Sequence, residues 1–210
     1  MKIRYFGHAC FSLTLESGTV IVTDPFDPSV TFAPCDIECD IALVSHEHFD
    51  HNYTDGLRGN FETVRSPGTH VLVGVRITGV ESCHDPEGGA LRGKNTIYVI
   101  EAEGLRIAHL GDLGHMPDDT QRAALENLDV LMLPIGGFYT IDTPQAEALI
   151  RELKPRVAIA MHFRTPEYEI RVSTEEAFCA DMHAARLPRE IEITKDNIGS
   201  LPAAIVMDYK

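Results

Sequence analysis

The sequence predicts an α/β fold in which two sheets pack on each other with helices outside. Three observations lead there. The first half is a series of short apolar runs closed by turn signals, the second half alternates such runs with helical segments, and no linker rich in Pro, Gly or Ser divides them. One compact domain spanning residues 1–210 is therefore expected.

Residues 3–6, 10–15 and 20–23 are apolar and partly β-branched, and Ser17-Gly18 closes a hairpin between the second and third runs. Asp24-Pro25 halts the third strand, residues 41–45 form the next, and residues 71–74, 75–80 and 96–101 continue the pattern. Glu103-Gly104 turns the last of these into a strand over 105–110. Pro117-Asp118-Asp119 then opens a helix to about residue 127, with proline and acids in its first turn. Residues 129–134 read as a buried strand. Thr143 caps the following helix, Pro144 begins it, and it ends before Pro155. Residues 157–161 form a further strand. Ser173-Thr174-Glu175-Glu176 reads as a capping box for a helix to about residue 186, and strands near Ile191 and Ile205 close the chain.

The composition, 44% hydrophobic and 24% charged, is that of a globular chain able to build a core without a metal or disulfide. A net charge of −14 argues against nucleic acid or an anionic membrane as a bulk partner. No stretch reaches the length of a membrane span, and the chain starts directly in strand-like alternation without a signal-type apolar region. The odd count of five cysteines suits free thiols in a reducing, cytoplasmic setting. Cys35 and Cys39 stand in an acidic loop without a second pair and do not make a zinc site, while Cys10, Cys83 and Cys179 read as small core residues. Oligomeric state is not fixed by the sequence, and a homo-oligomer stays open.

The chemistry concentrates in His46-Glu47-His48-Phe49-Asp50-His51, directly after the strand 41–45. Three imidazoles and a carboxylate leaving a buried strand put metal ligands where a loop can aim them, and imidazole nitrogen suits zinc and its neighbours. A binuclear site needs more donors. His84 ends the run Val80-Glu81-Ser82-Cys83, Asp112 follows residues 105–110 through Gly111, which permits a sharp turn, and His162 ends the strand 157–161.

With those residues in place the chain resembles the metallo-β-lactamase superfamily, and within it the lid-poor, intracellular branch of small metal-dependent hydrolases. That branch includes the ascorbate-6-phosphate lactonase-like proteins and relatives of the N-acyl-phosphatidylethanolamine phospholipase D. The resemblance spans nearly the whole chain and rests on Gly7-His8-Ala9-Cys10, Asp24-Pro25, the His46 to His51 motif, His84, His109-Leu110-Gly111-Asp112, Pro134-Ile135-Gly136-Gly137 and His162. It implies a four-layer αββα sandwich with two divalent metal ions at one sheet edge. One ion would be held by His46, His48 and His84 and the other by Asp50, His51 and His162, with Asp112 bridging and Asp24 orienting ligands from behind. Relatives with a di-iron redox centre commonly carry glutamate for the second histidine of the motif and lack the final one. His48 and His51 are both present here, which favours zinc, or else manganese, and hydrolysis.

The implied activity is metal-dependent hydrolysis of a small ester, lactone or phosphodiester by a metal-bridging hydroxide. No Gly-x-Ser-x-Gly nucleophile elbow competes with it. Asp50 is the candidate to orient that hydroxide and carry its proton, and His8 and His115 are candidate substrate-side donors or proton carriers. His109 is expected in a supporting or core role, and His70 and His183 in structural or exposed ones. The alternatives are a metal-stabilised binding module without turnover and a di-iron redox protein.

Overall fold

A computed structural model of the chain describes residues 1–30 and 32–210. The elements, in chain order, are β1 (Lys2–Gly7), β2 (Cys10–Thr14), β3 (Val20–Thr23), β4 (Ile41–Leu43), β5 (Glu62–Val64), β6 (Gly68–Leu72), β7 (Val75–Cys83), β8 (Lys94–Ala102) and β9 (Leu105–His109). They continue with α1 (Asp119–Ala124), β10 (Val130–Pro134), α2 (Thr143–Leu153), β11 (Val157–Met161), α3 (Glu176–Met182), β12 (Ala185–Leu187), β13 (Glu190–Glu192) and β14 (Ala204–Met207).

Two mixed sheets form the fold. One runs β13-β1-β2-β3-β4-β5 and the other β12-β14-β11-β10-β9-β8-β7-β6. Period-two alternation sorts the first sheet's side chains. Ile3, Tyr5, Leu13, Ile21, Ile41 and Leu43 join the core shared with the second sheet. Phe6, Cys10, Val22 and Ala42 face the other way, into a smaller core with Phe26, Phe32, Cys35 and Cys39. The Tyr98 hydroxyl on β8 donates to Val44 O at 2.9 Å and Val64 O at 3.0 Å, pinning one sheet to the other. The helix α2 is the crossover between the parallel neighbours β10 and β11, and it packs on α3. Among the described residues no helix is long and apolar enough to cross a membrane.

Strand direction decides where the site lies. The strands β3 and β4 are parallel, as are β9, β10 and β11, and β7 runs with β9 because both are antiparallel to β8. The residues after β3, β4, β7, β9 and β11 therefore emerge at the carboxyl ends of their strands, and ligands of open α/β sheets collect there.

Several expected boundaries move. The first helix is shorter, Asp119–Ala124, and is capped by Asp118 in a reciprocal box with Gln121. Asp142, not Thr143, caps α2, by the same device with Gln145. The Thr143 hydroxyl is instead turned inward and donates to Ile135 O at 3.0 Å. Among the described residues the third helix has no side-chain cap and its N-cap is Glu175, while Ser173 gives its N–H to Gly136 O and its carbonyl to Arg164 N–H. The third helix starts at Glu176 and stops at His183, whose φ is 50°, so Ala185–Leu187 is free to pair with β14. Two strands went unforeseen, β5 and β12. Both are three residues long and lack an apolar run.

Candidate metal centre

The centre is built outward from Asp24. This residue ends β3 with a left-handed φ of 42° and is fully buried. Its carboxylate accepts the Ser45 N–H at 2.8 Å, the Ser45 hydroxyl at 2.6 Å and His51 Nδ1 at 2.9 Å. The bond to His51 holds a proton on that ring's Nδ1, so Nε2 is the nitrogen available to a metal. The Ser45 hydroxyl, already donating to Asp24, offers its lone pair to His46 Nδ1 at 2.9 Å, so His46 also presents a free Nε2. One carboxylate thus sets the tautomer of two imidazoles.

The second sheet supplies the rest. Asp112 Oδ2 lies 3.1 Å from His84 Nε2, 3.2 Å from His162 Nε2, 3.3 Å from His51 Nε2 and 3.9 Å from His46 Nε2. Its other oxygen is buried with no hydrogen-bond partner among the described residues. The turn that delivers it depends on Gly111, at φ 53°, where an added Cβ would come within 2.5 Å of Ser45 Cβ. The Asp112 N–H donates to Asn95 Oδ1 at 3.0 Å, and the Asn95 amide is locked by its bonds to Ser82 Oγ and Leu110 O. His48 is the exposed member of the cluster, with Nδ1 3.1 Å from His46 Nε2.

Three groups of three donors have ligand atoms within 4.8 Å of one another: His46, His48 and His84; His8, His51 and His162; and Asp24, His46 and His51. The first is the triad expected for one ion. In the second, His8 stands where Asp50 was expected. His8 is buried, at φ 56°, with Nε2 3.2 Å from Asp50 Oδ2 and 3.1 Å from His51 Nε2. Its carbonyl accepts the Tyr5 hydroxyl and the His162 N–H, its ring packs on those of His51, His162 and Tyr168, and it is not among the residues that line the cavity. Asp50 lines the open cavity with His48, His84, Asp112 and His162.

His115 does not face this cavity. Its Nε2 accepts the Cys83 N–H at 3.2 Å, its Nδ1 donates to Met116 O at 2.9 Å, and it lines a separate cleft with Pro86 and Gln121. Both ring nitrogens are spent on backbone. His109 is structural as expected, joining Ala9 O to the Gly111 N–H. His70 bonds Ser66 O, and His183 is exposed. The five thiols are free, and Cys35 and Cys39 lie in the smaller core. Ser45, Asn95, Arg92 and Tyr168 escaped the sequence reading. A serine directly before the first histidine and an asparagine inside an apolar strand are signals that could have found the first two. Arg92 and Tyr168 sit in loops without a signature.

The electrostatics call for positive charge. Burial, then the neighbouring His51, pushes His46 down to about 3, and burial, then His162, pushes His8 down to about 4. Both stay neutral at pH 7. Burial opposes charge on Asp112, but His162 and His51 outweigh it and hold its carboxyl well below the usual range. Burial likewise opposes charge on His51, but Asp112 and Asp24 overcome it and raise this one imidazole well above its ordinary value. A proton on His51 thereby balances carboxylates that a cation would otherwise balance. Neutral imidazoles, converging Nε2 atoms and an unpartnered buried carboxylate oxygen fit divalent metal.

A family model described as the β-lactamase superfamily domain matches residues 2–162. The chain belongs to that family. It is similar to a solved structure from Thermotoga maritima, described as a Zn-dependent hydrolase of the metallo-β-lactamase superfamily. That match has 35% identity and a TM-score of 0.82, covering 98% of this chain and 97% of that one. A UPF0173 metal-dependent hydrolase of Thermoplasma acidophilum is 30% identical over 191 residues, 79% of this chain and 84% of the relative. A UPF0173 protein of Pyrococcus furiosus is 32% identical over 183 residues, with the same coverage of both chains. The protein is a metal-dependent hydrolase of the metallo-β-lactamase superfamily, with its two sheets in that fold. In this hydrolase the histidine cluster sits at the base of a cavity of about 560 Å³, walled by Phe49, Arg92, Tyr139, Tyr168 and Ile170.

Proposed function

We propose that this hydrolase works with two divalent ions, zinc by the preference of an imidazole-rich donor set, on a small ester, lactone or phosphodiester. The observation that carries the proposal is the convergence of three Nε2 atoms, those of His51, His84 and His162, within 3.1–3.3 Å of one oxygen of Asp112. Donors on both sides of a shared carboxylate suit a pair of ions better than one closed structural site. His46, His48 and His84 would hold one ion, His51, His162 and Asp50 the other, and Asp112 would lie between them.

When bound, such a pair supplies an ionised water at neutral pH and a Lewis acid for the electrophilic oxygen. The chain's own residues do the rest. Asp24 and Ser45 fix the free nitrogens of His51 and His46. His8 donates through Nε2 to Asp50 Oδ2 and holds that carboxylate toward the cavity. Asp50, which reaches both His8 and the open space, would accept the water's proton. Burial of the cluster keeps bulk water from competing for these bonds.

Elemental analysis of purified protein, combined with a screen of chromogenic esters, lactones and phosphodiesters with and without chelator, tests the proposal. Two equivalents of metal and turnover that is lost with chelator and regained with zinc are expected. One equivalent, or activity indifferent to metal removal and restoration, would refute it.

A further inference from the structure

Among the described residues lining the cavity above the histidine cluster, Arg92 is the one lysine or arginine. The cavity's acids have their own partners. Glu47 pairs with Arg65 at 2.9 Å, Asp50 with His8 at 3.2 Å, and Asp112 sits among imidazoles. Arg92 pairs with none of them. Its guanidinium carbon lies 5.6 Å from the centre of the Tyr139 ring and 5.7 Å from that of Phe138, and among the described residues no carboxylate or carbonyl engages it. Aromatic faces hold a guanidinium flat and partly dry but leave its N–H fork unspent.

The backbone under this arginine is fixed. Asp85 accepts four N–H groups from its own loop, those of Glu87 at 2.8 Å, Gly89 at 3.0 Å, Leu91 at 3.0 Å and Arg92 at 2.7 Å. Asp85 directly follows His84, whose Nε2 lies 3.1 Å from Asp112. A single carboxylate therefore ties the position of Arg92 to a residue of the cluster. Phe49, Tyr139, Tyr168 and Ile170 line the same cavity and supply it with an apolar wall. A free cation, an aromatic wall and a reactive base in one cavity define three contact points for a ligand.

We propose that Arg92 is the specificity-determining residue of this site, binding an anionic substituent, carboxylate or phosphate, on a substrate whose body is aryl. The aryl body packs on the wall while the scissile bond lies over Asp112. The planar fork of the guanidinium matches either anion in a bidentate way. This rests on the proposal that the cluster is a hydrolytic site.

The experiment uses the metal-loaded full chain with three phenyl acetates bearing a 4-carboxymethyl, a 4-phosphonomethyl or a neutral 4-methyl group. In parallel, calorimetry measures binding of phenylacetate and phenylphosphonate to metal-loaded and to chelator-stripped protein. In Arg92→Gln the anionic-to-neutral ratio of kcat/KM is expected to fall 10- to 100-fold, with the loss in KM, and Arg92→Lys to restore part of it. Anion binding weakens by a similar factor with or without metal, because Asp85 places Arg92. Arg171→Gln removes the same charge from beside Phe138, where the Arg171 guanidinium carbon is 4.2 Å from the ring centre but the residue is not part of the cavity lining, and leaves the ratio unchanged. Loss for only one of the two anions identifies the substituent. An unchanged ratio and unchanged anion binding in Arg92→Gln overturn the proposal, as does failure of both anions to bind the parent protein. If Arg92-dependent anion binding persists but none of the esters is cleaved in a metal-dependent way, the hydrolytic reading fails for this substrate class and the anion subsite stands.

Discussion

Replacing Asp24 by asparagine should weaken both metal sites although Asp24 is not a ligand in the proposed scheme. The wild-type carboxylate receives three donors, Ser45 N–H, Ser45 O–H and His51 Nδ1–H, at 2.6–2.9 Å. An asparagine can keep the Ser45 N–H on its oxygen, but its amide then puts a donor where two donors already point. The conflict resolves only if His51 moves its proton to Nε2 and Ser45 turns its hydroxyl toward His46 Nδ1, which moves the His46 proton to Nε2 as well. Both ligand nitrogens are then blocked. Residues that orient ligands are worth about 10- to 100-fold in metal affinity, or about 1.4–2.8 kcal/mol per site. The metal-free protein should lose about 1–3 kcal/mol from the exchanged charge-assisted bonds. Competition against a chromogenic chelator measures the first quantity and urea unfolding of stripped protein the second. Ser45→Ala should weaken only the site that uses His46. If Asp24→Asn binds two ions within threefold of the parent affinities, the tautomer argument is wrong.

His8→Gln should keep two equivalents of metal by elemental analysis, because His8 supports Asp50 and is not a ligand in the proposed scheme; a fall to one equivalent would make it one. Stripped protein should become less stable as pH falls from 7.5 toward 5. Unfolded histidines take up protons below about 6.5, while His8 and His46 resist protonation until about 4 and about 3. Burial lowers His48 and His109 in the same sense, and His51, raised by its carboxylates, opposes them alone. A urea midpoint that rises between pH 7 and pH 5 would contradict that balance. Gly111→Ala forces a Cβ onto Ser45 at a left-handed φ and should cost about 2–5 kcal/mol, read as a lowered melting temperature with metal content reduced in the surviving fold. An unchanged melting temperature would show that the Asp112 turn has slack.

Much of the scaffold was legible because it obeys local rules. The continuous apolar runs in residues 20–23 and 41–43 announce buried strands, and both of their faces are indeed buried, in different cores. The spacing of His46, His48 and His51 on one loop announces ligands, since few other uses gather three imidazoles there. What stayed hidden depends on contacts across the chain. Thr143 and Ser173 look like caps by residue type, yet one hydroxyl serves Ile135 O and the other residue's backbone pairs with Gly136 and Arg164. His115 follows Asp112 by three residues, but its turn, in which Gly114 N–H bonds Cys83 O, aims the ring at the neighbouring cleft. Nothing local distinguishes Arg92 from a solvated arginine, because its role arises from Asp85 behind it and Tyr139 opposite.

The backbone itself bears the cost of bringing the donors together. His8, Asp24 and His162 take φ values of 56°, 42° and 52°, a region that non-glycine residues rarely adopt and that costs about 1–3 kcal/mol each. Each is a residue where the chain leaves a strand and turns at once toward the cluster. A looser loop would remove the strain, but it would also release the His162 N–H from His8 O and the Ser45 N–H from Asp24, the bonds that join the segments of the site. The packed cores on both faces of the first sheet are what can hold such turns in place. Substitutions that thin the smaller core, such as Phe32→Ala against Gly7, should therefore loosen metal binding more than their distance from the ligands suggests. Phe32→Ala protein that is destabilised yet keeps parent metal affinity would show that the strain is held locally and not by the fold.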